Sequence, residues 1–143
     1  MRSDSFERDQ WALDLEEHLL QGGASFSEWA TLMSYEAHTC FVAGADISTI
    51  ILCASTCEAY LKTEQSDYDA KLYILIEKYE LDDELKNRIH KLRKLRNSWV
   101  HSLQANGQKE ISCYSDAYTP SLERDAKFAY ETMLMLLFSN PFV

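Results

Sequence analysis

Glycine and proline are scarce in this sequence, with four and two copies in 143 residues. Because these residues mark most tight turns, their scarcity argues against a sheet of many short strands and favours helices. No window holds 18 uncharged apolar residues, which argues against a membrane-spanning helix. The first ten residues, MRSDSFERDQ, lack the apolar segment of a secretory signal. We therefore predict a cytoplasmic protein with no membrane partner.

The hydrophobic content is 46% and the aromatic content 12%, which excludes a disordered polyelectrolyte. A chain of this length suits one core and is too short for two comfortable domains. We expect a single domain over residues 1–143. The three tryptophans are expected to anchor the core or an interface, and they are Trp11, Trp29 and Trp99.

None of the four cysteines forms a CxxC pair or a zinc-finger spacing. Cys53 and Cys57 lie four residues apart in a predicted helix, a spacing that could in principle hold a metal. The interpretation we adopt is that they are small buried hydrophobes in a reducing compartment. We predict no metal and no cofactor.

Six helices can be bracketed from caps and breakers, and they span about 6–20, 27–42, 47–62, 67–79, 83–103 and 120–138. Asp46 and Asp82 are the expected caps of the third and fifth helices, and Ser66 or Asp67 that of the fourth. Pro120 suits a first helical position. A short hairpin over 111–114 is the largest strand content we expect. The fold class is all-α, an antiparallel bundle of five to six helices.

Acidic residues are absent between positions 85 and 109, where half of the fourteen cations lie. The rest of the chain carries all 23 acidic residues, and the formal net charge is −9. One electropositive patch on an otherwise anion-repelling surface indicates an anionic ligand for that patch alone.

Two charged residues fall among apolar neighbours. At about 100° per residue, Arg96 lies on the apolar stripe of the fifth helix, and Glu58 lies on that of the third. A guanidinium group that leaves water needs an acceptor, so we predict that these two side chains pair. Such a pair could equally be a structural bridge, or Arg96 could extend past Trp99 to solvent.

His101 makes a chemical role for Arg96 possible, because a neutral imidazole near guanidinium groups is a usable general base. Residues five apart on one α-helix point roughly 140° away from each other, so the two side chains of one chain do not converge on one phosphate. A twofold dimer would relieve this, because each motif helix would meet its own copy.

These residues resemble a known family. The segment RNSWVH, from Arg96 to His101, resembles the HEPN superfamily motif, an arginine and a polar residue followed by a histidine. ILCASTCEAYLK, with Glu58 and Lys62, resembles the apolar helix of that family, and LRKLRNSWVHS resembles its motif helix. The resemblance covers about residues 35–138, which leaves residues 1–24 as an added N-terminal helix.

The resemblance implies a HEPN-like bundle that dimerises through the motif helices. It implies a metal-independent endoribonuclease of toxin–antitoxin or antiviral defence, with Arg96 and His101 as the catalytic pair and Asn97 orienting them or the phosphate. Glu58 would support the site. RNA would be cut by attack of its 2′-hydroxyl, and the basic residues expected to bind it are Arg88, Arg93 and Lys94.

Two alternatives remain. The first is a non-catalytic HEPN-like dimeric module that binds a protein or a nucleotide, since some members of the family lack activity. The second is a toxin whose antitoxin is a separate protein, for example a nucleotidyltransferase that modifies Tyr114 or Tyr118.

Overall fold

The computed structural model describes residues 3–20, 22–100 and 119–140. Within these ranges there are six α-helices and no strand, which confirms the all-α prediction. The helices are α1 (Ser5–Leu19), α2 (Glu28–Val42), α3 (Asp46–Gln65), α4 (Leu72–Lys78), α5 (Asp83–Val100) and α6 (Thr119–Leu137). The predicted hairpin over 111–114 lies outside the described residues.

Helix α3 is the centre of the bundle and packs against α2, α4, α5 and α6. Ile50, Ala54 and Leu61 of this helix are fully buried, whereas Ile47 near its start is 37% exposed. Cys53 and Cys57 are buried in the same helix, and burial raises the pKa of both thiols, that of Cys57 to about 12. They therefore pack as neutral hydrophobes, as predicted.

The connection between α2 and α3 is short because Gly44 reverses the chain. Gly44 has a φ of 81°, a left-handed conformation that glycine adopts without steric cost. The amide of Ala45 donates to the carbonyl of Cys40 at 2.9 Å, which closes the end of α2. Helix α2 ends at Val42, which confirms the end predicted from the sequence.

The predicted caps have different outcomes. Asp82 caps α5 as expected, since its Oδ1 accepts a hydrogen bond from the amide of Leu85 at 2.8 Å. Asp46 does not cap α3, because it is the first residue of that helix. Its buried carboxylate accepts a hydrogen bond from Arg8 instead. The fourth helix begins at Leu72, later than a cap at Ser66 or Asp67 would place it, because Asp67 instead accepts from the amides of Asp69 and Ala70 in a turn.

A buried guanidinium group fastens α1 to the bundle. Arg8 is 1% exposed, and its Nη1 donates to Asp46 Oδ1 at 2.6 Å and to the carbonyl of Phe41 at 2.9 Å. Its Nη2 lies 3.3 Å from Glu123 Oε1, and its guanidinium lies over the Phe41 ring. One side chain therefore joins the start of α1 to the end of α2, the start of α3 and the start of α6.

Replacement of Arg8 with methionine should lower the free energy of unfolding by about 3–5 kcal/mol, because it leaves the Asp46 carboxylate buried without its partner. Urea denaturation measures this loss. The double variant Arg8→Met/Asp46→Leu should recover part of the stability, and Lys78→Ala, whose side chain is 61% exposed, should change it little. A single variant as stable as the wild type would contradict the assignment.

Candidate functional site

Arg96 lies where the inner face of α5 reaches the edge of the bundle. Leu85, Ile89 and Leu92 on this face are buried, and Arg96 follows one turn after Leu92 with 24% of its side chain exposed. The sequence places Arg96 on the apolar stripe of α5. In the structure its side chain is partly buried there and still reaches water.

Glu58 of α3 is the acidic partner of Arg96, as the sequence predicts. Its Oε2 lies 3.6 Å from Arg96 Nη1, and its Oε1 lies 3.4 Å from Lys62 Nζ. The Glu58 side chain is 27% exposed. The separation from Arg96 is that of an ion pair and exceeds a normal hydrogen bond, so this is a loose and partly hydrated contact.

The guanidinium group of Arg96 has one loose ion pair, with Glu58, and is otherwise available to a ligand. An arginine carries five N–H donors in one plane, and Arg96 makes no hydrogen bond to another residue in the described part of the chain. A planar fork of this kind binds phosphate oxygens in a bidentate manner. The arrangement is therefore chemically suited to an oxyanion that arrives from solvent.

The other members of the predicted catalytic set lie on the same helix or beyond it. Asn97 is exposed, next to Arg96 on the outer surface of α5. His101 lies outside the described residues, as do Tyr114 and Tyr118. The approach of the imidazole to Arg96 thus stays a prediction.

The three residues predicted to bind RNA differ in their surroundings. Lys94 is exposed, and Arg93 is half-buried with its guanidinium carbon 6.0 Å from the centre of the Tyr73 ring. Arg88 faces α6: its Nη2 forms an ion pair with Glu131 at 2.8 Å, and its Nε donates to the Thr132 hydroxyl at 3.2 Å. Its guanidinium also lies over the Phe128 ring. Arg88 therefore joins α5 to α6, a contact that the sequence alone does not reveal, and its binding to RNA stays a prediction.

Trp99 points to α6 as well. Its indole Nε1 donates to Asp125 Oδ2 at 3.0 Å, and the ring is packed against the core. Trp11 is also an anchor, with its ring centre 5.3 Å from that of Phe41. Trp29 is 63% exposed, so it does not anchor the core, and the alternative that it anchors an interface stays a prediction.

Two features of the surface were not found from the sequence. His90 of α5 places its Nε2 2.7 Å from Glu77 Oε1 of α4, a contact that no periodicity signals. Glu58 also forms one wall of a cleft of about 430 Å³ that reaches Trp29 and Tyr68. The sequence signal for this cleft is Trp29, which the sequence predicts only as an anchor of the core or of an interface.

Comparisons of the chain with protein families, with curated proteins and with solved structures each return no match. The HEPN resemblance accordingly rests on the residues themselves. Across the described residues, no helix is long and apolar enough to cross a membrane. The same residues contain no cluster of three or more His, Cys, Asp or Glu that could hold a metal ion.

Glu58→Gln should change the free energy of unfolding by no more than about 1 kcal/mol, because the ion pairs that it weakens are partly exposed and screened. Arg88→Met should cost more, since it removes an ion pair, a hydrogen bond and a ring contact at a helix interface. Urea denaturation of the two variants at equal ionic strength compares them. A larger loss for Glu58→Gln would show that the Arg96 pair is a structural bridge.

Proposed function

We propose that this protein is a metal-independent endoribonuclease of the HEPN type, with Arg96 and His101 as its catalytic pair. The observation that carries the proposal is the state of Arg96, whose side chain is 24% exposed, lies 3.6 Å from Glu58 and is not held by hydrogen bonds to other described residues. A purely structural arginine in this chain looks different: Arg8 is buried with several acceptors.

In the proposed reaction, His101 takes the proton of a ribose 2′-hydroxyl group, whose oxygen then attacks the adjacent phosphorus. The bond from phosphorus to the 5′-oxygen breaks, which leaves a 2′,3′-cyclic phosphate on one fragment. A second histidine gives a proton to the departing 5′-oxygen. Arg96 stabilises the charge that develops on the phosphoryl oxygens, and Asn97 orients the pair or the phosphate.

The proposed site is composite and forms between two copies of the chain. Residues five apart on an ideal α-helix point roughly 140° away from each other, so Arg96 and His101 of one chain would not converge on one phosphate. A twofold axis along the motif helices brings two arginines and two histidines to one cleft. The homodimer is thus part of the proposal.

The charge distribution supports RNA as the substrate. The motif helix α5 carries a run of cations that includes Arg93 and Lys94, whereas acidic residues outnumber basic ones in the remaining chain. RNA should therefore bind along this helix, and its binding should weaken steeply as the salt concentration rises. Activity in toxin–antitoxin or antiviral defence, with a cognate antitoxin protein as partner, is the biological setting that the resemblance implies.

A second candidate is a non-catalytic HEPN-like dimeric module that binds a protein or a nucleotide. The observation that favours it is that Glu58 already lies within 3.6 Å of Arg96, so the charge of the guanidinium group is partly neutralised without a ligand. A folded dimer that does not cut RNA would support this candidate.

The test is RNA cleavage by the purified protein in excess EDTA. The wild type should cut single-stranded RNA and leave DNA of the same sequence intact, because DNA lacks the 2′-hydroxyl group. His101→Ala and Arg96→Ala should each lower the rate by about 100-fold or more. Lys78→Ala removes a cation elsewhere on the surface and should cut at the wild-type rate.

Cleavage that both variants retain would contradict the catalytic assignment, as would cleavage that EDTA abolishes. Circular dichroism of each variant confirms that a lost rate is not a lost fold.

A further inference from the structure

A cleft beside the Glu58–Arg96 pair has the features of a small-molecule site. Its volume is about 430 Å³, and its lining combines two large aromatic side chains with hydroxyl and charged groups. Ligand clefts in proteins commonly measure about 300–1,000 Å³ and show this mixture of apolar walls and few polar groups. The cleft residues are Trp29, Met33, Ser55, Glu58, Ala59, Lys62, Thr63 and Tyr68.

Trp29 stands in the first turn of α2, where the Ser27 hydroxyl group caps the helix by accepting from the amide of Ala30 at 3.1 Å. The indole is 63% exposed, although tryptophan is the side chain that gains most from burial. The helix that carries it is well anchored, because Ala30 and Ala37, which lie roughly 80–100° around the helix from Trp29, are buried in the bundle. Its exposure therefore follows from its place on the outer face of α2.

Tyr68 reaches the cleft from the turn that follows α3. Ser66 adopts a left-handed conformation with a φ of 50°, which ends α3 and reverses the chain. Asp67 then fixes the next residues by accepting from the amides of Asp69 and Ala70. Tyr68 projects from this hydrogen-bonded turn with 64% of its surface exposed.

Glu58 connects this cleft to the proposed catalytic residue. The same carboxylate lines the cleft, lies 3.4 Å from Lys62 and lies 3.6 Å from Arg96. A phosphate on Arg96 and a group in the cleft would therefore be near neighbours. The polar groups of the cleft, which include the Ser55 and Thr63 side chains, offer donors and acceptors to the edge of a flat ring.

We propose that this cleft binds one unstacked base of a single-stranded RNA. The rings of Trp29 and Tyr68 stack on this base, and Glu58 lies beside the hydrogen-bonding edge of the base. The proposal rests on the proposed ribonuclease function and deepens it by naming the substrate as unpaired RNA. Aromatic side chains bind bases in this way because every base has a flat π-face. Lys62 in the lining of the cleft and Arg96, which contacts Glu58 beside it, favour a polyanion over an acidic or apolar peptide.

The test measures the binding of a short fluorescent single-stranded RNA to the full chain that carries His101→Ala, so that the RNA stays intact. In this background, Trp29→Ala and Tyr68→Ala should each weaken binding about tenfold. Trp29→Phe, which retains a ring, should bind within about threefold of its parent. The matched control is Tyr35→Ala, which removes a 74% exposed aromatic side chain of α2 that does not line the cleft and should leave binding unchanged.

The same RNA annealed to its complement should bind more weakly than the single strand, because a duplex keeps its bases stacked. Equal binding by Trp29→Ala, Tyr68→Ala and the parent would overturn the proposal, and so would an equal loss in Tyr35→Ala. Wild-type cleavage of RNA, measured in parallel, separates the two ideas. Cleavage together with RNA binding that does not depend on Trp29 would support the nuclease and contradict the base site. Trp29-dependent binding without cleavage would support the base site and contradict the nuclease.

Discussion

The bundle depends on the need of a guanidinium group for acceptors when it leaves water. Arg8 meets this need with the Asp46 carboxylate, the Phe41 carbonyl and Glu123, and these three acceptors come from three different helices. Because a buried cation without them would cost several kcal/mol, the ends of those helices must meet at one place. Arg8 in this way ties the N-terminal helix to three other helices, and the Trp11 ring adds a contact with Phe41.

The same need for acceptors distinguishes Arg88 from Arg96, because the two guanidinium groups have different partners. Arg88 is held at the α5–α6 interface by Glu131, Thr132 and a ring. Arg96 has a carboxylate at 3.6 Å and an open side toward water. A guanidinium group that is oriented but not saturated can bind an incoming anion without first breaking a strong internal contact, and that property makes Arg96 the residue on which the functional account depends.

Much of the fold could be predicted because its signals are local. Gly44 and Pro120 mark helix boundaries through backbone geometry, Asp82 caps α5, and apolar periodicity identifies buried faces such as that of Leu85, Ile89 and Leu92. The pairing of Glu58 with Arg96 could also be predicted, because a charged side chain on an apolar stripe needs a partner and each of these residues can supply one to the other.

The remaining features depend on which helices meet, and periodicity carries no such information. Asp46 looks like a cap in the sequence, and only the arrival of Arg8 from another helix gives it a different role. Arg88 and Lys94 look alike as cations on one helix, and α6 distinguishes them. The cleft at Trp29 combines α2, α3 and the turn at Tyr68, so its signal in the sequence was a single aromatic residue without context.

The central claim is that Arg96 and an imidazole cut RNA through its own 2′-hydroxyl group. Mass spectrometry of the fragments that the wild-type protein produces tests this claim most directly, because the chemistry of the new ends records which oxygen attacked. The account predicts 2′,3′-cyclic phosphate on the upstream fragment and a 5′-hydroxyl group on the downstream one. A free 3′-hydroxyl group opposite a 5′-phosphate would mean that water attacked, and would contradict it.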